Sequence, residues 1–122
     1  MAATRTDPKS PLGEFEIMVL LAVLHLSTGD EPDQDAAYGS TIVRQIAERT
    51  GREVSRGAVY VTLDRLTSKG LLASRAGDAP PERGGHPRRI YRVTRAGLQA
   101  TRHSLSAFAR MQAGLEPVIG RL

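Results

Sequence analysis

Cysteine and tryptophan are both missing from this 122-residue chain, and two phenylalanines and three tyrosines are all that supply aromatic surface. Without cysteine there is neither a disulfide framework nor a thiolate metal site. So few aromatics leave no roomy aromatic pocket in evidence for a planar ligand. Long apolar runs are missing too. The longest, Ile17–Leu24, falls far short of the roughly 20 residues a membrane helix needs. Met1–Pro11 is polar, where a secretory leader would place a basic segment and then an apolar one. A cytoplasmic protein with no membrane role is the expectation. Catalytic signatures are absent as well: there is no nucleophile elbow, no phosphate-cradling loop before a strand-to-helix turn and no carboxylate pair near a plausible cleft. The three histidines, His25, His86 and His103, are far apart and fall in different expected elements, so no metal site, no cofactor and no catalytic residue is expected.

What the chain does have is an uneven charge. Residues 1–43 carry two basic and seven acidic side chains, and residues 44–122 carry fifteen basic and six acidic ones, so a segment of −5 precedes one of +9. Fifteen of the seventeen basic residues are arginine. A basic face of this kind suits a polyanion, because neutralising phosphates releases condensed counterions. At this length and 40% hydrophobic content, one domain with a single modest core is expected.

Met1–Pro11 reads as a loose tail. A first helix begins near Leu12, with Glu14 and Glu16 in its opening turn, and Phe15–Leu26 is apolar almost all the way round. Such a helix needs cover on several sides, part of it from a second copy of the chain, with Phe15 and Val19 at that contact. The acidic stretch Ser27–Ala37 is a spacer. Tyr38-Gly39-Ser40 opens a second helix to about Thr50, with Ile42, Val43, Ile46 and Ala47 inward, and Gly51 ends it. A third helix follows directly, capped by Ser55 and stopped by Lys69-Gly70. Tyr60, Leu63 and Leu66 are expected on its inner face, and Ala58, Val61, Thr62, Arg65 and Ser68 on its outer face. Helix, short turn, helix is the helix-turn-helix pattern. Two strands, Leu71–Arg75 and Arg88–Val93, flank the Gly/Pro-dense Ala76–Pro87 and form a wing. Thr94 caps a last helix in which Leu98, Leu105, Phe108 and Leu115 fit a heptad seam, with Thr101 and Gln112 at weaker positions and Gly114 and Pro117 ending it.

Four segments, LGEFEIMVLLAVL at 12–24, Tyr38-Gly39, GAVYVTLDRLTSKGLL at 57–72 and RRIYRVTRAG at 88–97, occur in an order that resembles the PadR family of transcriptional regulators, in its short form with one C-terminal helix. The resemblance covers Leu12 to about Leu115. It implies a mainly α fold with a small β-hairpin, a winged helix-turn-helix over 12–93 and a dimerisation helix over 94–122. It also implies a homodimer that binds a pseudo-palindromic operator in double-stranded DNA and represses transcription. Segment 55–69 would be the recognition helix, and 76–87 the wing tip. The residues themselves fit such work. Ser55 and the first free amides of its helix can meet a phosphate, Arg56 and Arg65 a phosphate or a guanine edge, and Val61 and Thr62 thymine methyls. Arg83, Arg88 and Arg89 can follow the backbone or enter the minor groove, and Lys69 and Arg92 can add charge. A small-molecule effector, unidentified by the sequence, would have to act by favouring one arrangement of the two reading heads.

Competing readings stand beside these. Tyr60 and Tyr91 read as core residues more than as stacking platforms. Arg65 could pair with Glu53, and Arg88 and Arg89 could be edge-strand charges that discourage strand pairing. A winged helix can also bind protein instead of DNA, since a fold does not dictate function.

Overall fold

A computed structural model describes residues 12–28, 36–77 and 88–120. The tail Met1–Pro11 and residues 29–35 of the acidic spacer lie outside the described residues. The element order is α1 (Glu14–Ser27), α2 (Gly39–Thr50), α3 (Arg56–Ser68), β1 (Leu72–Ala76), β2 (Arg89–Val93), α4 (Arg95–Gln112) and α5 (Glu116–Ile119). The fold is mainly α with one antiparallel hairpin.

The four long helices start where their local chemistry satisfies orphan backbone donors. Glu16 reaches back to the Gly13 N–H at 2.9 Å to open α1. The Thr41 hydroxyl accepts from the Tyr38 N–H at 3.0 Å and donates to the Ala36 carbonyl at 2.6 Å to open α2. Ser55 accepts from the Ala58 N–H at 3.0 Å and Thr94 from the Gly97 N–H at 3.1 Å. Gly51, at φ 71°, stops α2, and Gly70, at φ 78°, turns the chain out of α3; both lie in the left-handed region that side chains disfavour.

The two strands run one residue later than their expected starts. Leu71 is the reason: its N–H donates to the Leu66 carbonyl, closing the end of α3, and its own carbonyl accepts from the Thr94 N–H. The ladder then pairs Leu72 with Val93 through Ala76 with Arg89. On its other side β2 takes one further bond, from the Tyr91 N–H to the Ala37 carbonyl at 2.8 Å.

α1 runs through the middle and packs on α2, α3, α4 and β2. Val19, Leu20 and Val23 on it are fully buried, alongside Ile42, Val59, Leu63 and Leu66. Val19 was expected at a contact between copies, and that expectation is corrected here. It is 0% exposed, because the protomer's own α2, α3, α4 and β2 cover α1 on most sides. Phe15, Met18 and Leu21 keep partial exposure. Thr101 is also corrected from a seam position to an inward one. Gly97, Ala100, Thr101 and Ser104 repeat at i, i+3, i+4 and i+7, a small-residue face turned inward, and the Thr101 hydroxyl donates to the Gly97 carbonyl at 2.8 Å. The single last helix expected over 94–122 is corrected to two: Gly114, at φ 87°, breaks the chain after α4, so Leu115 leaves the α4 heptad and stands at the N-cap of α5, with Pro117 in its first turn.

Candidate nucleic-acid interface

The site is built on α3. Its buried residues are Val59, Thr62, Leu63 and Leu66, again at i, i+3, i+4 and i+7. That periodicity rotates the inner face away from the expected Tyr60, Leu63 and Leu66 set. Thr62 is the casualty: at 4% exposure it faces the core, and its assignment to thymine methyls is withdrawn. The outward face consists of Arg56, Gly57, Ala58, Val61, Arg65 and Ser68, all exposed. It is small at the helix start, so the axis can come close to another body. It also carries one branched apolar group, Val61, 58% exposed, between two guanidinium groups. Arg65 makes none of the ion pairs among the described residues, which join Arg44 to Glu48, Arg52 to Glu14 and Lys69 to Glu16. The competing pairing of Arg65 with Glu53 is therefore not seen.

Tyr60 is 37% exposed, and its ring lies against the start of α2. A Cβ on Gly39 would meet the Tyr60 hydroxyl and ring closer than real Cβ atoms come. Gly39 is thus the residue that lets α3 sit tightly on α2, which accounts for the Tyr38-Gly39 motif in physical terms. Tyr91 is buried in the core. Burial, and then the Asp64 charge, push its hydroxyl above the ordinary tyrosine range, against the opposing Arg89.

The hairpin brings Arg75, Arg89 and Arg92 to the surface. Arg89 donates to Ser74 Oγ across the ladder, from Nη2 at 2.7 Å and Nε at 3.3 Å. Arg88 is engaged differently from the sequence expectation. Its guanidinium lies over the Tyr38 ring, 4.6 Å from the centroid, and donates to the Tyr38 hydroxyl at 3.3 Å. The contact attaches the loop end of the hairpin to the start of α2, a cation–π tie. Lys69 is engaged too: its ammonium donates to Glu16 Oε2 at 2.9 Å. Burial raises the Glu16 pKa, but the Gly13 N–H, the Lys69 ammonium and the Arg65 charge together hold it below the ordinary carboxylate range. Sequence spacing carries no trace of either engagement, since the partners are 50 and 53 residues apart. Arg83, His86 and the wing tip lie outside the described residues.

On α4 and α5 an apolar stripe is left uncovered. Leu98, Leu105, Phe108, Met111, Leu115, Val118 and Ile119 are between 42% and 78% exposed. A shallow apolar groove of about 130 Å³ lies between α1 and α2, lined by Met18, Leu21, Ala22 and Ile46 among others. Among the described residues no three His, Cys, Asp or Glu side chains gather as a metal site, and no helix is long and apolar enough to cross a membrane.

An exposed helix, set by a tight turn on a preceding helix and flanked by an arginine-bearing hairpin, defines the winged helix-turn-helix class of DNA-binding regulators. Comparisons with known proteins agree. The model of the Transcriptional regulator PadR-like family matches residues 32–103. The chain is 35% identical over 95 residues, 75% of this chain and 79% of the relative, to Transcriptional regulator Rv3488 of Mycobacterium tuberculosis. Among solved structures it is similar to a PadR family transcriptional regulator from Eggerthella lenta, with a TM-score of 0.63, 27% identity, and coverage of 87% of this chain and 86% of that one. A PadR family regulator from Clostridium difficile shares the fold at a TM-score of 0.64 and 20% identity, covering 88% of this chain and 99% of that one. The chain belongs to the PadR-like family of transcriptional regulators.

Proposed function

We propose that this regulator acts as a homodimeric repressor on a pseudo-palindromic operator, with α3 in the major groove and the hairpin on the backbone or in the minor groove. The observation that carries the reading is the outward face of α3. Ala58 and Val61 leave room for close approach, Arg56 and Arg65 flank them, and no part of the described protein covers that face. Ser55 already accepts the Ala58 N–H, so its hydroxyl proton, with the Arg56 and Gly57 amides, is left for a phosphate. In this reading Val61 touches a thymine methyl and Arg65 reads a guanine edge. Arg89 on one face of the hairpin, and Arg75 and Arg92 on the other, supply backbone charge. Lys69 and Arg88 contribute long-range charge while their donors hold the fold together.

In this reading residues 12–93 bind DNA and residues 94–122 dimerise. The uncovered stripe Leu98, Leu105, Phe108 and Leu115, with Phe15 on α1 as a lesser contributor, is the surface available for a second copy. Twofold pairing would set the two α3 helices about 34 Å apart, one helical turn of duplex.

The test is a gel-shift series with DNA from upstream of the protein's own gene against random competitor at several salt concentrations. A specific complex that survives salt at which random DNA is released supports the reading. Equal loss of both would leave a basic protein with no operator, and no shift at all would favour a winged helix that binds protein.

A further inference from the structure

The first turn of α1 sends two carboxylates to the two ends of α3. Glu14 and Glu16, two positions apart, leave the helix about 200° apart around its axis. Glu14 Oε1 accepts from Arg52 Nη1 at 2.6 Å, just ahead of α3. The same guanidinium approaches Met18 Sδ at 3.2 Å and the Phe15 ring at 5.9 Å. Glu16 divides its two oxygens: Oε1 takes the Gly13 N–H, and Oε2 takes the ammonium of Lys69, the residue that ends α3. The Glu14 side chain is 78% exposed, whereas that of Glu16 is 11% exposed. The Arg52 tie is therefore screened at both ends and weak, whereas the Lys69 tie, with its ammonium side chain 40% exposed, is sheltered at the carboxylate and less screened.

A sheltered carboxylate beside a DNA-facing helix works against affinity. It offsets one lysine and lowers the local potential around Arg65, whose charge Glu16 feels. We propose that Glu16 is a positioning residue for DNA reading: by tying Lys69 to the first turn of α1, it fixes the direction in which α3 presents Val61 and Arg65. The Arg52–Glu14 pair steadies the opposite end. The proposal rests on the reading of α3 as the groove-binding helix, and it makes Glu16 necessary for discrimination although it touches no DNA.

The two roles that Glu16 could play differ in sign. If Glu16 were only a nearby negative charge, Glu16→Gln would tighten binding to every duplex alike. As a positioning residue, its loss loosens the end of α3. Binding to the upstream fragment should then fall about tenfold, the order of one charge-assisted hydrogen bond, while binding to random DNA of equal length holds or rises. In the free full-length protein, amide exchange over residues 63–68 should quicken while α2 exchange stays unchanged. Should Glu16→Gln not fold, Lys69→Met severs the same tie and leaves the Gly13 cap, and Lys69→Arg retains it; exchange must rise in the first and not in the second. Parallel gains on both DNAs, or unaltered exchange at the end of α3, would overturn the proposal. If the wild-type protein does not distinguish the upstream fragment from random DNA, the groove reading fails, and the exchange measurement still decides whether Glu16 positions α3.

Discussion

Replacing Phe108 tests the proposed seam where its cost can be worked out. Phe108 keeps 60% of its surface in water within one protomer. Full burial of a phenylalanine is worth up to about 3 kcal/mol, so covering the remaining three-fifths recovers about 2 kcal/mol per copy. A twofold interface uses the position twice. Phe108→Ala should then cost the dimer about 4 kcal/mol, roughly a thousandfold in its dissociation constant. Phe108→Asp should go further, because it also places two carboxylates in an apolar seam. Sedimentation velocity over a concentration series reads the constant directly, and circular dichroism checks that the exposed position leaves the protomer folded. Both variants showing the wild-type dimer constant would refute the assignment, since no twofold seam along α4 can lose its largest exposed apolar group at no cost. The loss of dimer should also cost operator affinity, because a single reading head engages only a half-site.

Three further outcomes follow from the same geometry. Arg65→Ala should weaken operator binding by about 1 to 3 kcal/mol and relax the choice of one base pair; a uniform loss on all sequences, measured by titration against single-base operator variants, would make Arg65 a phosphate contact instead. Gly97→Ala gains about 1 kcal/mol of helix propensity, but its Cβ would run into the Leu71 carbonyl and Val93 Cγ1. That carbonyl already accepts the Thr94 N–H, so a net loss of about 1 to 3 kcal/mol is expected in urea unfolding, and a gain would show that the joint between α3 and α4 is loose. Glu16 has a lowered folded pKa, so its contribution to stability is complete above the unfolded glutamate value of about 4.3 and drains away as pH falls through the lower folded value. Glu16→Gln should therefore flatten the loss of stability on acidification in that range, and an unchanged acid profile would mean the carboxylate is not stabilised by folding.

Much of the fold was legible because its signals are local. Ser55 and Thr94 as caps, Gly51 and Gly70 as stops, and the inward set Ile42 and Ile46 on α2 all act within one or two helical turns, and each was found where the residues placed it. The Tyr38-Gly39 pair was legible as a motif without its reason. Only the packed structure supplies that reason, the Tyr60 ring lying where a side chain on Gly39 would be.

The sequence by itself determined the order of α1 to α4 and the two strands, the caps and stops of those helices, the basic character of the second half and the family, while α5 was not foreseen. These depend on periodicity, backbone preference and composition, which a single chain displays in full. Tertiary structure alone decided which faces are spoken for. Thr62 turned inward because α3 is rotated by its neighbours to bury Val59, Val19 was claimed by the protomer's own helices, and Lys69 and Arg88 were drawn to Glu16 and Tyr38. A charge or a small residue shows its chemistry in the sequence, but its partner is chosen by distance in space, and residues 50 positions apart become neighbours only when the core closes.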